Sequence, residues 1–239
     1  MPKNSGFLYV CGACLATSRQ ASDFCEKCGV QEPWQTEDGE GDREKSAPQS
    51  LESIEAVEQP RLPLGELDAS FGGGFPLPCS VLVSGLPGAG KSSLALQVAE
   101  KFMGEKLYLS QEMPLGLLRA YQVRVAPKMR SMTGWHRPEL GEVLAYIAKK
   151  APPIVIFDSL QRAGEDEAEA LKALLRVCAS VKSSLLVICH ATKDGDFAGL
   201  LASQHDVDVS LWMRRDEEGC FVQTVKNRFG PAPVEVKLS

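Results

Sequence analysis

The chain has 239 residues, of which 44% are hydrophobic and 7% aromatic, a composition that excludes wholesale disorder and allows one full-sized domain with a small appendage. The net charge is −5, and the acidic excess is concentrated in residues 37–58. No apolar run approaches the roughly 18 residues of a membrane helix, and the first residues lack an apolar stretch with a cleavage site, so we expect a cytoplasmic protein with no membrane partner.

Four of the eight cysteines form two Cys-x-x-Cys pairs near the start of the chain, Cys11 with Cys14 and Cys25 with Cys28. Two such pairs in a short segment are typical of four thiolates that hold a structural Zn²⁺ ion in tetrahedral geometry. A redox-active pair is the alternative, but a thioredoxin-like motif needs a βαβ context that this segment lacks. The sequence therefore predicts a zinc-binding module over residues 1–34, with the metal supplying its folding energy.

Residues 35–60 are acidic, carry Gly, Ser and Pro, and contain no aromatic residue, so they are interpreted as a flexible linker. From residue 61 onward, short apolar runs alternate with segments of helical periodicity. This pattern predicts an α/β domain over residues 61–239, a twisted and mostly parallel sheet with helices on both faces. Strands are predicted at 77–84, 106–110, 154–157, 184–189, 208–213 and 220–225. Helices are predicted at 92–103, 114–125 and 166–181.

A glycine-rich stretch lies between the strand at 77–84 and the helix at 92–103. It fits the phosphate-loop pattern G-x-x-x-x-G-K-[ST] in full, and it lies in the strand-to-helix context that the mechanism requires. Backbone amides and the helix N-terminus bind phosphates in such a loop, the lysine reaches the β and γ phosphates, and the hydroxyl binds Mg²⁺. A simple glycine turn is the alternative. The predicted nucleotide-binding residues are Gly85, Leu86, Pro87, Gly88, Ala89, Gly90, Lys91, Ser92 and Ser93.

Three further polar residues follow predicted strands. Asp158 comes after the apolar run 154–157, where a carboxylate would complete the Mg²⁺ site with Ser92; a cap on the next helix is the alternative. Glu112 follows the strand at 106–110, where it would act as a general base, and a helix N-cap acid is its competitor. His190 follows the strand at 184–189, where it could sense the γ phosphate, although a lone histidine is more often structural.

The motifs occur in a specific order along the chain. The cysteine pairs and Trp34 come first, then the phosphate loop and Glu112, then His-Ala-Thr-Lys-Asp-Gly at 190–195 and Lys-Asn-Arg-Phe-Gly at 226–230. In this order they resemble the bacterial RadA (Sms) family of DNA repair ATPases in the RecA-like P-loop superfamily. LSQEMP and VKNRFGP are also similar to the replicative-helicase (DnaB-like) core. Since only nine residues follow the last motif, we expect a short form without the Lon-protease-like domain found in that family.

The resemblance implies an ATP-driven hexameric ring that acts on single-stranded or branched DNA, with a recombinase as a further partner. It implies that Lys91, Ser92 and Asp158 bind ATP and Mg²⁺, that Glu112 is the catalytic carboxylate, and that His190 is a γ-phosphate sensor. Lys226 and Arg228 would reach the ATP of the neighbouring subunit, as an arginine finger does. Strand alternation would place these two side chains on one face. Residues 193–204 correspond to a DNA-facing loop of the ring.

Two alternative functions stay open. One is a KaiC-like regulatory or assembly ATPase that binds a protein partner through the zinc module. The other is a non-catalytic module in which ATP only locks an oligomer. Stimulation of ATP hydrolysis by single-stranded DNA would separate the DNA-dependent ATPase from the first alternative, and any hydrolysis would exclude the second.

Overall fold

A computed structural model of the chain describes residues 9–11, 17–18, 34–36, 50–56, 58–159, 167–190 and 204–238. Near the N-terminus, β1 (Tyr9–Cys11) pairs antiparallel with both β2 (Thr17–Ser18) and β3 (Trp34–Thr36). Three of the four predicted zinc ligands, Cys14, Cys25 and Cys28, lie outside the described residues, and only the backbone of Cys11 is described. The zinc module and the predicted domain boundaries therefore stay predictions.

An eight-stranded sheet forms the framework of the main domain. Its strands are β6 (Ser80–Gly85), β7 (Lys106–Ser110), β8 (Met132–His136), β9 (Ile154–Asp158), β10 (Ser184–Ile188), β11 (Val209–Asp216), β12 (Gly219–Asn227) and β13 (Val234–Leu238). The strand order is β13-β12-β11-β6-β10-β9-β7-β8. The six strands from β11 to β8 are parallel, whereas β12 and β13 are antiparallel additions at one side. The predicted α/β sheet is thus confirmed as a mixed sheet.

Helices cover both faces of this sheet. They are α1 (Lys91–Glu100), α2 (Leu115–Val125), α3 (Leu140–Lys150) and α4 (Glu167–Ser180), with 3-10 helices at Leu51–Ser53 and Gly65–Phe71 and a small ribbon of β4 (Arg61–Leu62) and β5 (Phe75–Pro76). Within β6, Val81 and Val83 belong to the core shared with α1, and Leu82 belongs to the core shared with α3 and α4. This alternation explains why the strand is apolar throughout. No described helix has both the length and the apolar character to cross a membrane.

The direction of the strands decides which polar residues can meet. Because β6, β7, β9 and β10 are parallel, their carboxyl ends lie along one edge of the sheet, the usual place for ligands in open α/β sheets. The phosphate loop, Glu112, Asp158 and His190 all lie at or just beyond these ends. β12 runs the other way and ends at Asn227, which pairs with Val209 near the start of β11. Lys226 and Arg228 therefore lie at the edge opposite the phosphate loop.

Candidate nucleotide site

The phosphate loop closes tightly against the neighbouring strand β11. Gly85 has φ 148°, and a Cβ at this position would lie 2.3 Å from the carbonyl oxygen of Met213. Only glycine allows the two backbones to come this close. At the other end of the loop, Gly90 has φ 100° and is the residue from which α1 begins. The glycines of the motif thus shape a loop that leads directly into a helix N-terminus, where phosphate is favoured.

The lysine of the motif lies folded over this loop. Lys91 is buried, and its Nζ donates hydrogen bonds to the carbonyl oxygens of Gly85 at 2.8 Å and Leu86 at 2.9 Å. Burial lowers the pKa of Lys91, while the carboxylates of Asp158 and Glu112 act in the opposite direction. The ammonium group is therefore held at the loop, close to two carboxylates, where it could bind phosphate oxygens.

Three oxygen-bearing side chains meet beside the lysine. The Ser92 hydroxyl, in the first turn of α1, donates to Oδ2 of Asp158 at 2.7 Å, and the hydroxyl of Tyr108 donates to the same oxygen at 2.5 Å. Burial and the neighbouring Asp158 raise the pKa of Tyr108 well above its usual value of 10, so this phenol stays protonated. Hydroxyl and carboxylate oxygens are hard ligands of the kind that Mg²⁺ prefers. The residues present therefore fit an Mg²⁺ ion carried by a nucleotide.

Glu112 and His190 come from two different loops and meet at the same edge. Nε2 of His190 lies 3.7 Å from Oε1 of Glu112, and both side chains are partly exposed. The backbone before Glu112 is fixed by Gln111, whose N–H donates to the carbonyl oxygen of Asp158 at 2.7 Å. The arrangement leaves a carboxylate accessible to solvent beside the phosphate loop, which a general base requires.

Several side chains at this site were not predicted from the sequence. The hydroxyl of Tyr108 contacts Asp158, and Tyr121 of α2 shares a hydrogen bond with Ser93. Arg137 donates from Nε to the carbonyl oxygen of Gln111 at 3.1 Å. Tyr108 lies in an apolar strand, where a tyrosine is easily taken for a core residue. The only feature of the sequence that could have indicated this contact was the hydroxyl of Tyr108, because a buried tyrosine usually needs a polar partner.

A cavity of about 600 Å³ adjoins the phosphate loop and is lined by residues of α1, α2 and the adjoining ends of β11 and β12. Its lining includes Gly90, Ser93, Arg124, Arg215 and Cys220. The Cys220 thiol donates to the carbonyl oxygen of Ala89 at 3.4 Å and so joins the start of β12 to the phosphate loop. A cavity of this size, continuous with the phosphate-binding residues, can hold the base and sugar of a nucleotide.

The two cationic side chains of the last motif, Lys226 and Arg228, form hydrogen bonds and an ion pair within their own chain. Nζ of Lys226 donates to the carbonyl oxygens of Gln204, His205 and Val207 at 3.1, 2.9 and 2.6 Å. The guanidinium group of Arg228 is about half exposed and forms an ion pair with Asp208 at 2.9 Å. These contacts are at the edge away from the phosphate loop. Residues 193–203 of the predicted DNA-facing loop lie outside the described residues.

A family model matches residues 81–214, the segment that contains the phosphate loop, Glu112, Asp158 and His190. The chain belongs to the ATPase family associated with various cellular activities (AAA). Among the relatives of this AAA ATPase is the DNA repair protein RadA of Mycobacterium tuberculosis (strain ATCC 25618 / H37Rv), which is 33% identical over 96% of this chain and 54% of its own length. RadA of Rickettsia felis is 30% identical over 93% of this chain and 55% of its own length. The resemblance to RadA is thereby confirmed.

The AAA ATPase spans about half the length of the curated relatives it matches. A solved structure, the flagellar accessory protein FlaH from Methanocaldococcus jannaschii, aligns with a TM-score of 0.57 over 76% of this chain and all of the other chain. At 16% identity this similarity shows the fold alone. Family membership and the RadA relatives identify an ATP-hydrolysing P-loop enzyme. In the described part of the chain, no group of three or more His, Cys, Asp or Glu residues is placed to hold a metal ion, and zinc binding by the N-terminal cysteines stays a prediction.

Proposed function

We propose that this protein is a RadA-like DNA repair ATPase, an oligomer that hydrolyses ATP at subunit interfaces and depends on single-stranded or branched DNA. The observation that carries the proposal is the convergence of Lys91, Ser92, Asp158 and Glu112 at one edge of the sheet, in a chain whose relatives are named DNA repair proteins. A cytoplasmic hexameric ring and a recombinase partner belong to the same proposal.

Each residue at this edge has a distinct task in the proposed reaction. Lys91 and the loop amides bind the phosphates, and Ser92 and Asp158 hold Mg²⁺, which neutralises phosphate charge when it is bound. Glu112 orients the attacking water and accepts its proton. His190, 3.7 Å from that carboxylate, senses the γ phosphate, since a change in phosphate charge would alter its contact with Glu112.

Lys226 and Arg228 act on the ATP of a neighbouring subunit. The backbone N–H of Arg228 bonds to the carbonyl oxygen of Asp208, whose own N–H bonds to the carbonyl oxygen of Ser80 at the start of β6. From Ser80 to Gly85 is about 16 Å along the strand, at roughly 3.3 Å per residue. An arginine side chain does not span this distance, which favours action in trans, where a cation would stabilise the charge of the transferring phosphoryl group.

The test is the ATPase rate of the full chain, measured against protein concentration with and without single-stranded DNA. We expect specific activity to rise with concentration, because each site needs a neighbour, and to rise further with DNA. Glu112→Gln is the control and should lower turnover by roughly 10²- to 10⁴-fold while leaving ATP binding intact. An absence of DNA stimulation, together with no retention on DNA at low salt, would contradict the proposed DNA dependence.

A further inference from the structure

We propose that Tyr108 is a positioning residue for the nucleotide-bound Mg²⁺ ion, acting through Asp158. This inference rests on the proposed function, because it assumes that Ser92 and Asp158 hold the metal. The tyrosine does not contact the nucleotide itself. Its hydroxyl holds one oxygen of the aspartate in place and so fixes the orientation of the carboxylate that meets the metal.

Strand register places Tyr108 and Asp158 on one side of the sheet. In the parallel pair β7–β9, Tyr108 lies opposite Ile156, and Ser110 lies opposite Asp158. Since side chains alternate along a strand, Tyr108 and Asp158 face the same core, the one shared with α1, the helix that contains Ser92. The phenol therefore extends along the strand toward its carboxyl end and reaches the aspartate two positions farther on.

The distribution of hydrogen bonds on Asp158 gives the tyrosine its role. Ser92 and Tyr108 both donate to Oδ2, at 2.7 and 2.5 Å. The other oxygen, Oδ1, would then be the one that holds the metal when it is bound. If Ser92 were the only one of these two donors present, the Asp158 carboxylate could rotate when the serine oxygen binds Mg²⁺. A second donor on Oδ2 opposes that rotation and keeps the carboxylate in its binding orientation, as partners of metal ligands commonly do.

The burial of Tyr108 indicates that its hydroxyl does more than fill space in the core. Tyr108 is 1% exposed and lies among apolar side chains, where phenylalanine would occupy nearly the same volume. Burying a hydroxyl costs free energy unless it is hydrogen-bonded. A purely structural role for the phenol would stabilise the fold without affecting the metal. The two roles differ in a measurable way, because only a positioning role links the hydroxyl to Mg²⁺.

The experiment compares the wild type with Tyr108→Phe by titrating the full chain with N-methylanthraniloyl-ADP, with the Mg²⁺ concentration varied and with Mg²⁺ left out of the buffer. We expect affinity without Mg²⁺ to be unchanged and the Mg²⁺ concentration for half-maximal enhancement to rise about tenfold, a usual loss when a metal ligand loses its partner. Tyr146→Phe is the matched control. Tyr146 packs against Trp135 on the other face of the sheet, so its Mg²⁺ dependence should equal that of the wild type.

A second comparison uses Asp158→Asn with and without Tyr108→Phe. If the tyrosine acts through the aspartate, adding Tyr108→Phe to Asp158→Asn should change the Mg²⁺ dependence no further. An unchanged Mg²⁺ dependence in the single Tyr108→Phe variant overturns the inference, and so does an equal loss of affinity with and without the metal. Failure of the wild type to bind the nucleotide would instead overturn the proposed nucleotide site, so the two failures can be told apart.

Discussion

Lys91 is the residue whose charge is most directly tied to ligand binding. Its pKa is lowered by burial in the protein without nucleotide, and phosphate oxygens would raise it again. The pKa of Lys91 is then higher with nucleotide bound than without it. Near and above the lowered pKa of the free protein, nucleotide binding is therefore accompanied by uptake of a proton by Lys91. Nucleotide affinity is highest below the pKa that Lys91 has in the free protein, and it falls as the pH rises through that value. The fall therefore begins below the ordinary lysine pKa of 10.5.

Calorimetric titration of the protein with Mg²⁺ and a non-hydrolysable ATP analogue, in two alkaline buffers with different ionisation enthalpies, measures this proton uptake. The matched variant is Lys91→Arg, whose guanidinium does not titrate in this range. Uptake should be present in the wild type and absent in the variant. Equal uptake in both would show that another group is responsible.

Lys226 and Arg228 show what sequence can and cannot predict about single residues. The motif indicated two cations with a common target. Their present partners, the carbonyl oxygens at Gln204–Val207 and the carboxylate of Asp208, depend on the register between β11 and β12, which is shifted by an irregularity at Ser210/Leu211. No local pattern encodes that register. The contacts of Lys226 would have to break before this side chain could reach a neighbouring nucleotide.

At the scale of elements, the Phe-Gly pair of the last motif joins β12 to the segment after the Gly65–Phe71 helix. A Cβ on Gly230 would lie 2.6 Å from Cα of Gly72, and one on Gly72 would lie 2.7 Å from the carbonyl oxygen of Phe229. Backbone atoms cannot yield as a flexible side chain can. The glycine is therefore required by packing, independently of any role of the neighbouring cations.

Gly230→Ala should lower the free energy of unfolding by about 1–3 kcal/mol, the usual cost of forcing extra atoms into a packed region. Urea denaturation measures the change. Gly116→Ala is the control, because Gly116 lies in the first turn of α2 with no neighbouring heavy atom near its added Cβ, and it should leave the free energy of unfolding equal to that of the wild type or slightly higher. Equal stability of the Gly230→Ala variant and the wild type would contradict the close contact.

The strands with strong apolar runs were predicted from the sequence, whereas one half-buried strand and one helix were missed. The strand at 106–110 was predicted with the bounds that the structure has, because all five residues are buried. The edge strand β8 was missed, since all its residues are half-buried and it contains Gly134. The helix α3 was missed although Val143, Leu144 and Ile147 form a buried stripe with helical spacing. For the site, the glycine motif located the phosphate loop, but the contact of Tyr108 with Asp158 depends on the pairing of β7 with β9.

At the scale of the whole molecule, the residues of the proposed catalytic site lie at two opposite edges of one sheet. The carboxyl ends of the parallel strands hold the phosphate loop and the carboxylates, and the opposite edge holds Lys226 and Arg228. If copies associate head to tail, with one of these edges against the opposite edge of the next copy, a ring forms when the rotation between copies closes. A complete catalytic site would then contain Glu112 from one copy and Arg228 from the next, and a variant in either residue would be inactive by itself.

Mixing the two inactive variants tests this division of labour. In a mixed oligomer of Glu112→Gln and Arg228→Ala, some interfaces combine an intact carboxylate with an intact arginine from the neighbouring copy. Random assembly of equal amounts would restore about a quarter of the interfaces, because each arginine acts in trans. We therefore expect ATP hydrolysis to reappear on mixing, in a steady-state assay after the variants have exchanged subunits. If Arg228 served its own chain, every site would lack one residue and the mixture would stay as inactive as its components.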